Sequence, residues 1–309
     1  MKEKIICSCQ ARRSRGPWIN IVTHFSTTLE VTCIILLLSL SSCQQKIDLK
    51  IPDYTQKLVV EGKIEDGANP QVKLSYTMPY FTDKQVNLSD LAVKGAFVTV
   101  TDGTTTDTLK EVLPGQGYYY KGTHMVGAVG KTYNLTIVVD GKSYTAQTQI
   151  YPPVKLDTLW FKVEKQDTLG YIYTHIHEPP QLGNWYRWQA MRIVKDQDFI
   201  APMGSSFDDK FINGKSFDFA YDRGMLQNSV SDDDVNSEKG FFKKGENVIV
   251  KFSAIGEKEF RFFRSYDANA ISNGNPFAAP TNLQSNIQGQ NVLGLWCGYG
   301  NYIDTVLLK

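Results

Sequence analysis

The chain has 309 residues, with 33 Lys and Arg against 32 Asp and Glu, a formal net charge of +1. That balance offers no basic surface for the phosphates of nucleic acid, so nucleic-acid binding is set aside. A chain of this length buries a large core unaided, because at this size about 70–75% of the unfolded surface can be removed from water.

Val31 to Leu40 is an apolar run followed by small residues, which fits the hydrophobic region and cleavage site of an export signal. It is shorter than the ~20 apolar residues a membrane-spanning helix needs. Leu40-Ser41-Ser42-Cys43 resembles the lipobox of bacterial lipoproteins. Small side chains at 41 and 42 let a peptidase reach the backbone, and the Cys43 thiolate takes up a diacylglyceryl group. Residues 1–42 are therefore expected to be removed, leaving Cys43 as the acylated first residue, with chains such as palmitate holding the protein to a membrane. Positive charge stands unusually far from the run, since Glu30 borders it and Arg15 is the nearest cation upstream.

Export and cysteine usage agree. Cys7, Cys9 and Cys33 leave with the signal and Cys43 becomes a thioether, so Cys297 alone remains and no internal disulfide is expected. With the five basic and two acidic residues of the signal set aside, the mature chain carries 28 basic against 30 acidic residues.

Residues 43–56 read as a polar, lipidated tether, and residues 57–152 as strands and turns. Leu58 to Ile64, Val72 to Tyr76, Ala96 to Thr101, Tyr133 to Val139 and Ser143 to Thr148 carry strand patterns. Asp102-Gly103 and Asp140-Gly141 are hairpin turns, because Asp-Gly supplies the positive φ that tight turns need. Short strands at this spacing predict an immunoglobulin-like β-sandwich.

Pro152-Pro153 breaks the chain and marks a domain boundary, with a second, β-rich domain over 153–309. Leu156 to Val163, Tyr171 to His177, Trp185 to Val194 and Asn247 to Ile255 read as strands. Residues 201–240, rich in Asp, Gly, Ser and Asn, read as long loops. One helix is predicted from about Glu257 to Ile271, with Phe260, Phe263, Tyr266 and Ala270 as its buried stripe and Asn273-Gly274 as its cap. Tyr302 to Leu308 reads as a terminal strand. The expected fold is thus mostly β, a sandwich followed by a β-rich domain with one helix.

The lipobox, Leu58 to Ile64, Val93 to Val100, and Asn275-Pro276-Phe277-Ala278-Ala279-Pro280 followed by Ser285-Asn286-Ile287-Gln288-Gly289 together resemble the Domain of Unknown Function 4249 lipoproteins of Bacteroidetes. The resemblance covers nearly the whole mature chain. It implies an outer-membrane lipoprotein, often beside a TonB-dependent transporter, and supplies no catalytic residues. The weakly acidic Gln44-Gln45-Lys46-Ile47-Asp48 leaves open whether the protein faces the periplasm or the cell surface. The glycines of Gly289 to Tyr299 predict a bulged strand or a close backbone approach.

Candidate chemistry is sparse. His175 and His177 on one strand face the same side and can converge on a metal ion, although no third ligand is identifiable. The aromatic run Trp185-Tyr186-Arg187-Trp188, with Tyr118-Tyr119-Tyr120, offers Trp185, Tyr186 and Trp188 as a ligand-stacking platform. Alternation places Tyr186 and Trp188 on one face and Trp185 and Arg187 on the other, and one face is core. Asp208, Asp209 and Asp232-Asp233-Asp234 lack the spacing of a calcium loop and read as solvated charge. Asp107-Thr108-Leu109, Asp157-Thr158-Leu159, Asp167-Thr168-Leu169 and Asp304-Thr305-Val306 are similar to the Bacteroidetes O-glycosylation site, making Thr108, Thr158, Thr168 and Thr305 candidates for modification. Nucleophile elbows, zinc-protease helices and phosphate loops are missing from the sequence, so no enzyme activity and no cofactor are expected. The leading expectation is an accessory or ligand-capture partner of a TonB-dependent transporter. The alternative is a structural or adhesion lipoprotein of the envelope with no small-molecule ligand.

Overall fold

The computed structural model describes residues 54–79, 87–112, 119–225, 238–272 and 282–309. Cys43, Tyr118, Asp232 to Asp234, and Asn273 to Pro280 lie outside them. Alternating apolar and polar residues form strands β1 (Leu58–Glu65), β2 (Gln71–Tyr76), β3 (Phe97–Thr101), β4 (Thr106–Thr108), β5 (Lys110–Val112), β6 (Tyr119–Lys121), β7 (Thr132–Val139) and β8 (Lys142–Gln149). The chain continues through β9 (Leu156–Lys165), β10 (Leu169–His177), β11 (Trp185–Arg192), β12 (Ser206–Asp208), β13 (Ser216–Tyr221), β14 (Phe242–Lys243) and β15 (Asn247–Ile255). Helix α1 (Glu257–Ser272) and the long strand β16 (Val292–Leu307) follow. The protein is mostly β, as its pattern predicts.

Asp140 and Gly141 join β7 to β8 with φ of 50° and 71°, the paired left-handed residues of a tight hairpin. At the other expected turn, Asp102 Oδ1 accepts from the backbone N–H of Thr104 at 3.0 Å and Thr105 at 2.8 Å. The stretch 201–240 is less open than expected, because β12 and β13 form within it. Phe207, Phe217, Phe219 and Tyr221 supply apolar anchors there that the polar composition obscures.

One eight-stranded sheet runs β12-β11-β15-β16-β1-β2-β6-β5. All its pairings are antiparallel except β1 with β16, which run parallel in register from Leu58 opposite Val292 to Glu65 opposite Tyr299. Two smaller sheets, β4-β3-β7-β8 and β13-β10-β14 with β9 on β10, complete the layers. A first core lies between β1, β2 and β16 on one side and β3, β7 and β8 on the other, around Val60, Val98, Tyr133, Ile137 and Trp296. A second lies between β11 and β15 and the β10 sheet, around Ile172, Tyr186, Trp188, Val250 and Phe252. Pro152-Pro153 is where the chain passes from one core to the other. The shared sheet makes residues 57–152 and 153–309 two lobes of one compact unit, Tyr54–Lys309.

The crossing itself depends on two glycines of β16. A Cβ on Gly298 would stand 2.4 Å from the carbonyl oxygen of Gln149, and one on Gly300 would stand 1.8 Å from that of Tyr151. The expected close backbone approach is thus real, and it is the 149–153 link lying on β16. Gly298 N–H also donates to Thr148 Oγ1 at 2.8 Å. We expect Gly300→Ala to force the two backbones apart and to cost at least the ~1–3 kcal/mol of ordinary overpacking. Urea unfolding of the variant measures this, and an unchanged midpoint would contradict the packing argument.

Candidate functional site

The central sheet has two faces, and both cores use the same one. The opposite face carries Arg187 and Gln189 from β11, Lys251 and Ser253 from β15, Leu295, Tyr299 and Asn301 from β16, and Lys63 and Glu65 from β1. Helix α1 covers part of it. Phe263 is buried against Ile255, Leu295, Cys297 and Tyr299, with Phe260 and Phe262 half-buried around them. Tyr266, expected in the buried stripe, is exposed, and Glu259 is buried in its stead. Between the helix and the uncovered sheet lies a cleft of about 830 Å³, within the size range of small-molecule sites.

The polar groups in this cleft are unusual for their depth. Lys251 is only 4% exposed, and its Nζ lies 3.4 Å from Glu65 Oε1 and 4.2 Å from the Phe199 ring centre. Glu65 also faces Lys63 at 3.3 Å and accepts from Asn301 Nδ2 at 3.0 Å. Burial opposes charge on this carboxylate, yet Lys251 and Lys63 outweigh it and hold the pKa below its usual value. For Lys251 burial dominates and lowers the pKa despite Glu65.

Arg187 is placed differently. Its guanidinium carbon lies 3.4 Å above the Phe263 ring centre, a cation–π contact. Nη1 donates to Ser206 Oγ at 3.3 Å. Nε has no partner, and among the described residues no carboxylate forms an ion pair with Arg187. Two residues along the same strand, Gln189 Oε1 is likewise buried without a partner. Buried polar atoms normally find partners, and leaving one unpaired costs about 1–3 kcal/mol. Both atoms are enclosed beneath the cleft surface, two residues apart on β11, with the Lys251 strand position opposite Gln189.

A second polar network holds the helix over the cleft. Glu259, in the first turn of α1, accepts from Thr148 Oγ1 at 2.7 Å and Asn286 Nδ2 at 3.3 Å. Asn286 also pairs with the backbone of β16, its Nδ2 donating to the Trp296 carbonyl at 2.8 Å and its Oδ1 accepting from Trp296 N–H at 2.9 Å. Ser285 Oγ donates to the Gly294 carbonyl at 2.8 Å. Ser285-Asn286-Ile287 is thus a structural staple that fixes β16 and, through Glu259, the helix.

The sequence-derived candidates fall in several places. Tyr186 and Trp188 are fully buried in the second core, Tyr186 stacking on Phe252 at 5.1 Å and Trp188 edge-on to Phe219 at 5.8 Å. They are core residues and cannot form a ligand platform. Trp185 is half-buried beside the helix contact. It lines a separate hollow of about 250 Å³ near Pro152 and Pro153. Tyr120 is buried, its hydroxyl donating to the Val93 carbonyl at 2.9 Å. Asp209 is buried, with Oδ2 accepting from the N–H of Gly183 and Asn184 at 2.7 and 2.9 Å, so it shapes a turn. Thr108, Thr158, Thr168 and Thr305 are all exposed. Asp107 beside Thr108 is buried, and its Oδ2 accepts from the N–H of Thr123, His124 and Met125. His175 and His177 lie together on the outer face of β10.

Sequence reasoning passed over Arg187, Gln189, Lys251 and Glu65. Their signal was present: Lys251 interrupts the apolar run Val248 to Ile255, and Arg187 sits between buried aromatics. A cation within a strand covered on both faces marks a place where the outer layer is incomplete.

Fold and site define a class, a two-lobed β-sandwich protein whose shared sheet floors a cleft with buried cations. Over residues 44–302 the chain matches the family described as Domain of unknown function (DUF4249), and it belongs to that family. No curated protein matches it. No described helix is long and apolar enough to cross a membrane.

Burial raises the pKa of Glu259, partly offset by the Thr148 and Asn286 hydrogen bonds. A carboxyl raised on folding favours the native state fully only below its unfolded pKa, and that contribution is lost as pH rises through the folded value. Glu259→Gln keeps an acceptor oxygen and removes the ionisation. We expect it to match the parent at pH 4 and to be more stable at pH 8, as measured by denaturant midpoints. A loss at pH 8 would show that the charge itself is needed.

Proposed function

We propose that the protein is a lipid-anchored ligand-capture component of the outer membrane, working beside a TonB-dependent transporter. The observation that carries the capture role is the cleft whose floor holds Arg187 Nε and Gln189 Oε1 without partners. Side chains that leave these enclosed atoms unpaired have a free-energy incentive to turn toward a complementary molecule entering the cleft and complete their hydrogen bonds on it. A carboxylate would meet the guanidinium and the Lys251 ammonium, and an adjacent donor would meet Gln189. The apolar flank of Phe262, Phe263 and Leu295 would take a hydrocarbon or ring portion. The ligand class that fits is a small organic acid with a neighbouring hydroxyl or amide.

Anchoring through Cys43, location in the outer membrane and partnership with a transporter rest on the lipobox and on the expectation attached to the family. A binding protein without catalytic motifs fits that setting.

Two measurements test the reading. Small hydroxy- and amido-carboxylates should raise the melting temperature of the protein, since a ligand at a hundred times its Kd adds about 2.7 kcal/mol of stability. Arg187→Met should abolish that rise while leaving the free protein as stable or more so, because it removes a desolvated charge lacking a carboxylate. A variant that responds to ligand like the parent would overturn the assignment of the cleft. Mild solubilisation of native membranes should recover the lipoprotein with a TonB-dependent barrel. Recovery of the lipoprotein alone would favour the envelope-structural role.

A further inference from the structure

Away from the cleft, on the outer face of the β9–β10 sheet, three ligating side chains converge. His175 and His177 project from one face of β10, their ring centres 5.0 Å apart. Strand alternation explains the pair but not the third member. In the β9–β10 ladder His175 stands opposite Thr158 and Ile176 opposite Leu156, so Asp157 is an extra residue with no partner of its own. Such a bulge re-aims the side chain it carries. Thr158 and Asp157 are consecutive, yet both are exposed, and Asp157 turns to the histidine face. Its Oδ2 lies 2.5 Å from His177 Nδ1. One ligand atom each from Asp157, His175 and His177 lies within 4.8 Å of the others.

A fourth residue orders the group. Asp218, opposite His175 on β13, holds His175 Nδ1 at 2.6 Å. A carboxylate on Nδ1 fixes the ring and directs Nε2 outward as a ligand, the arrangement that commonly supports metal-bound histidine.

We propose that Asp157, His175 and His177 form a binding site for a divalent transition-metal ion of the zinc or copper class, with Asp218 as a positioning residue. Two imidazoles and one carboxylate suit these borderline cations, whereas calcium and magnesium prefer all-oxygen sites. Binding replaces the His177–Asp157 hydrogen bond with bonds to the ion, and the ring proton of His177 moves to Nε2. Three protein ligands leave an outward position for water or a further donor. The site is independent of the cleft and of the proposal made for it.

Zinc(II) and copper(II) titrations of the full chain in detergent micelles, followed by calorimetry, test this directly. The expected result is one equivalent of zinc or copper bound at sub-millimolar concentration. Removing both rings in His175→Ala/His177→Ala should eliminate binding, and Asp218→Ala should weaken it by about tenfold while keeping the stoichiometry. Both variants alter exposed or half-exposed side chains, so their metal-free melting temperatures should equal the parent's. Failure of both ions to bind below millimolar, or unchanged binding in the double variant, would overturn the assignment.

Discussion

The parallel pairing of β1 with β16 is the constraint on which the rest of the molecule depends. It brings the first described strand against the last across eight residue pairs, so the sheet is completed only when these two distant segments meet. Such a non-local contact must offset a large loop-closure entropy. The apolar layers make that worthwhile. Trp296 on β16 is fully buried in the first core, its Nε1 donating to the Tyr133 carbonyl at 3.0 Å, while Tyr302 and Val306 further along the strand pack on the second. One strand is therefore the common wall of both lobes, and its glycines let the connecting segment cross it.

The same strand explains why a cleft exists at all. Every residue that faces a core leaves its neighbours facing the other way, and a sheet this wide needs a second cover on that side. A single helix of sixteen residues is too small to provide it. Its aromatic side covers Leu295, Cys297 and Tyr299, and the remaining strands are left with Lys63, Glu65, Gln189, Lys251 and Asn301. Polar residues there are the expected response to partial solvation. Burial of Lys251 and of the Arg187 guanidinium goes beyond that response.

Much of the fold was legible because local patterns suffice for strands and turns. Alternation located β1, β7, β8, β10, β11 and β15, and Asp140-Gly141 declared its hairpin. Phe263 and its neighbours declared the helix. The pairing of β1 with β16 was not legible, since nothing in Leu58 to Glu65 names a partner more than two hundred residues away. Strands β12 and β13 were hidden by the polar residues around them. The site was harder still. Alternation sorted Trp185 to Trp188 into two faces, but which face meets a core depends on the sheet above it. That choice turned Tyr186 and Trp188 into core and left Arg187 in the cleft. Asp157 escaped notice as a partner of the histidines because a bulge, which has no local signature in Leu156 to Leu159, reversed its direction.

Placing β1 inside the sheet would have a mechanical consequence under the proposed anchoring through Cys43. A pull transmitted through the residues before Leu58 would not peel an edge. It would load β1 along its length, between β16 with eight residue pairs on one flank and β2 with six on the other. Both ladders would carry the load together. Under that proposal, pulling β1 free would mean breaking both of its ladders, whereas an edge strand is held by only one.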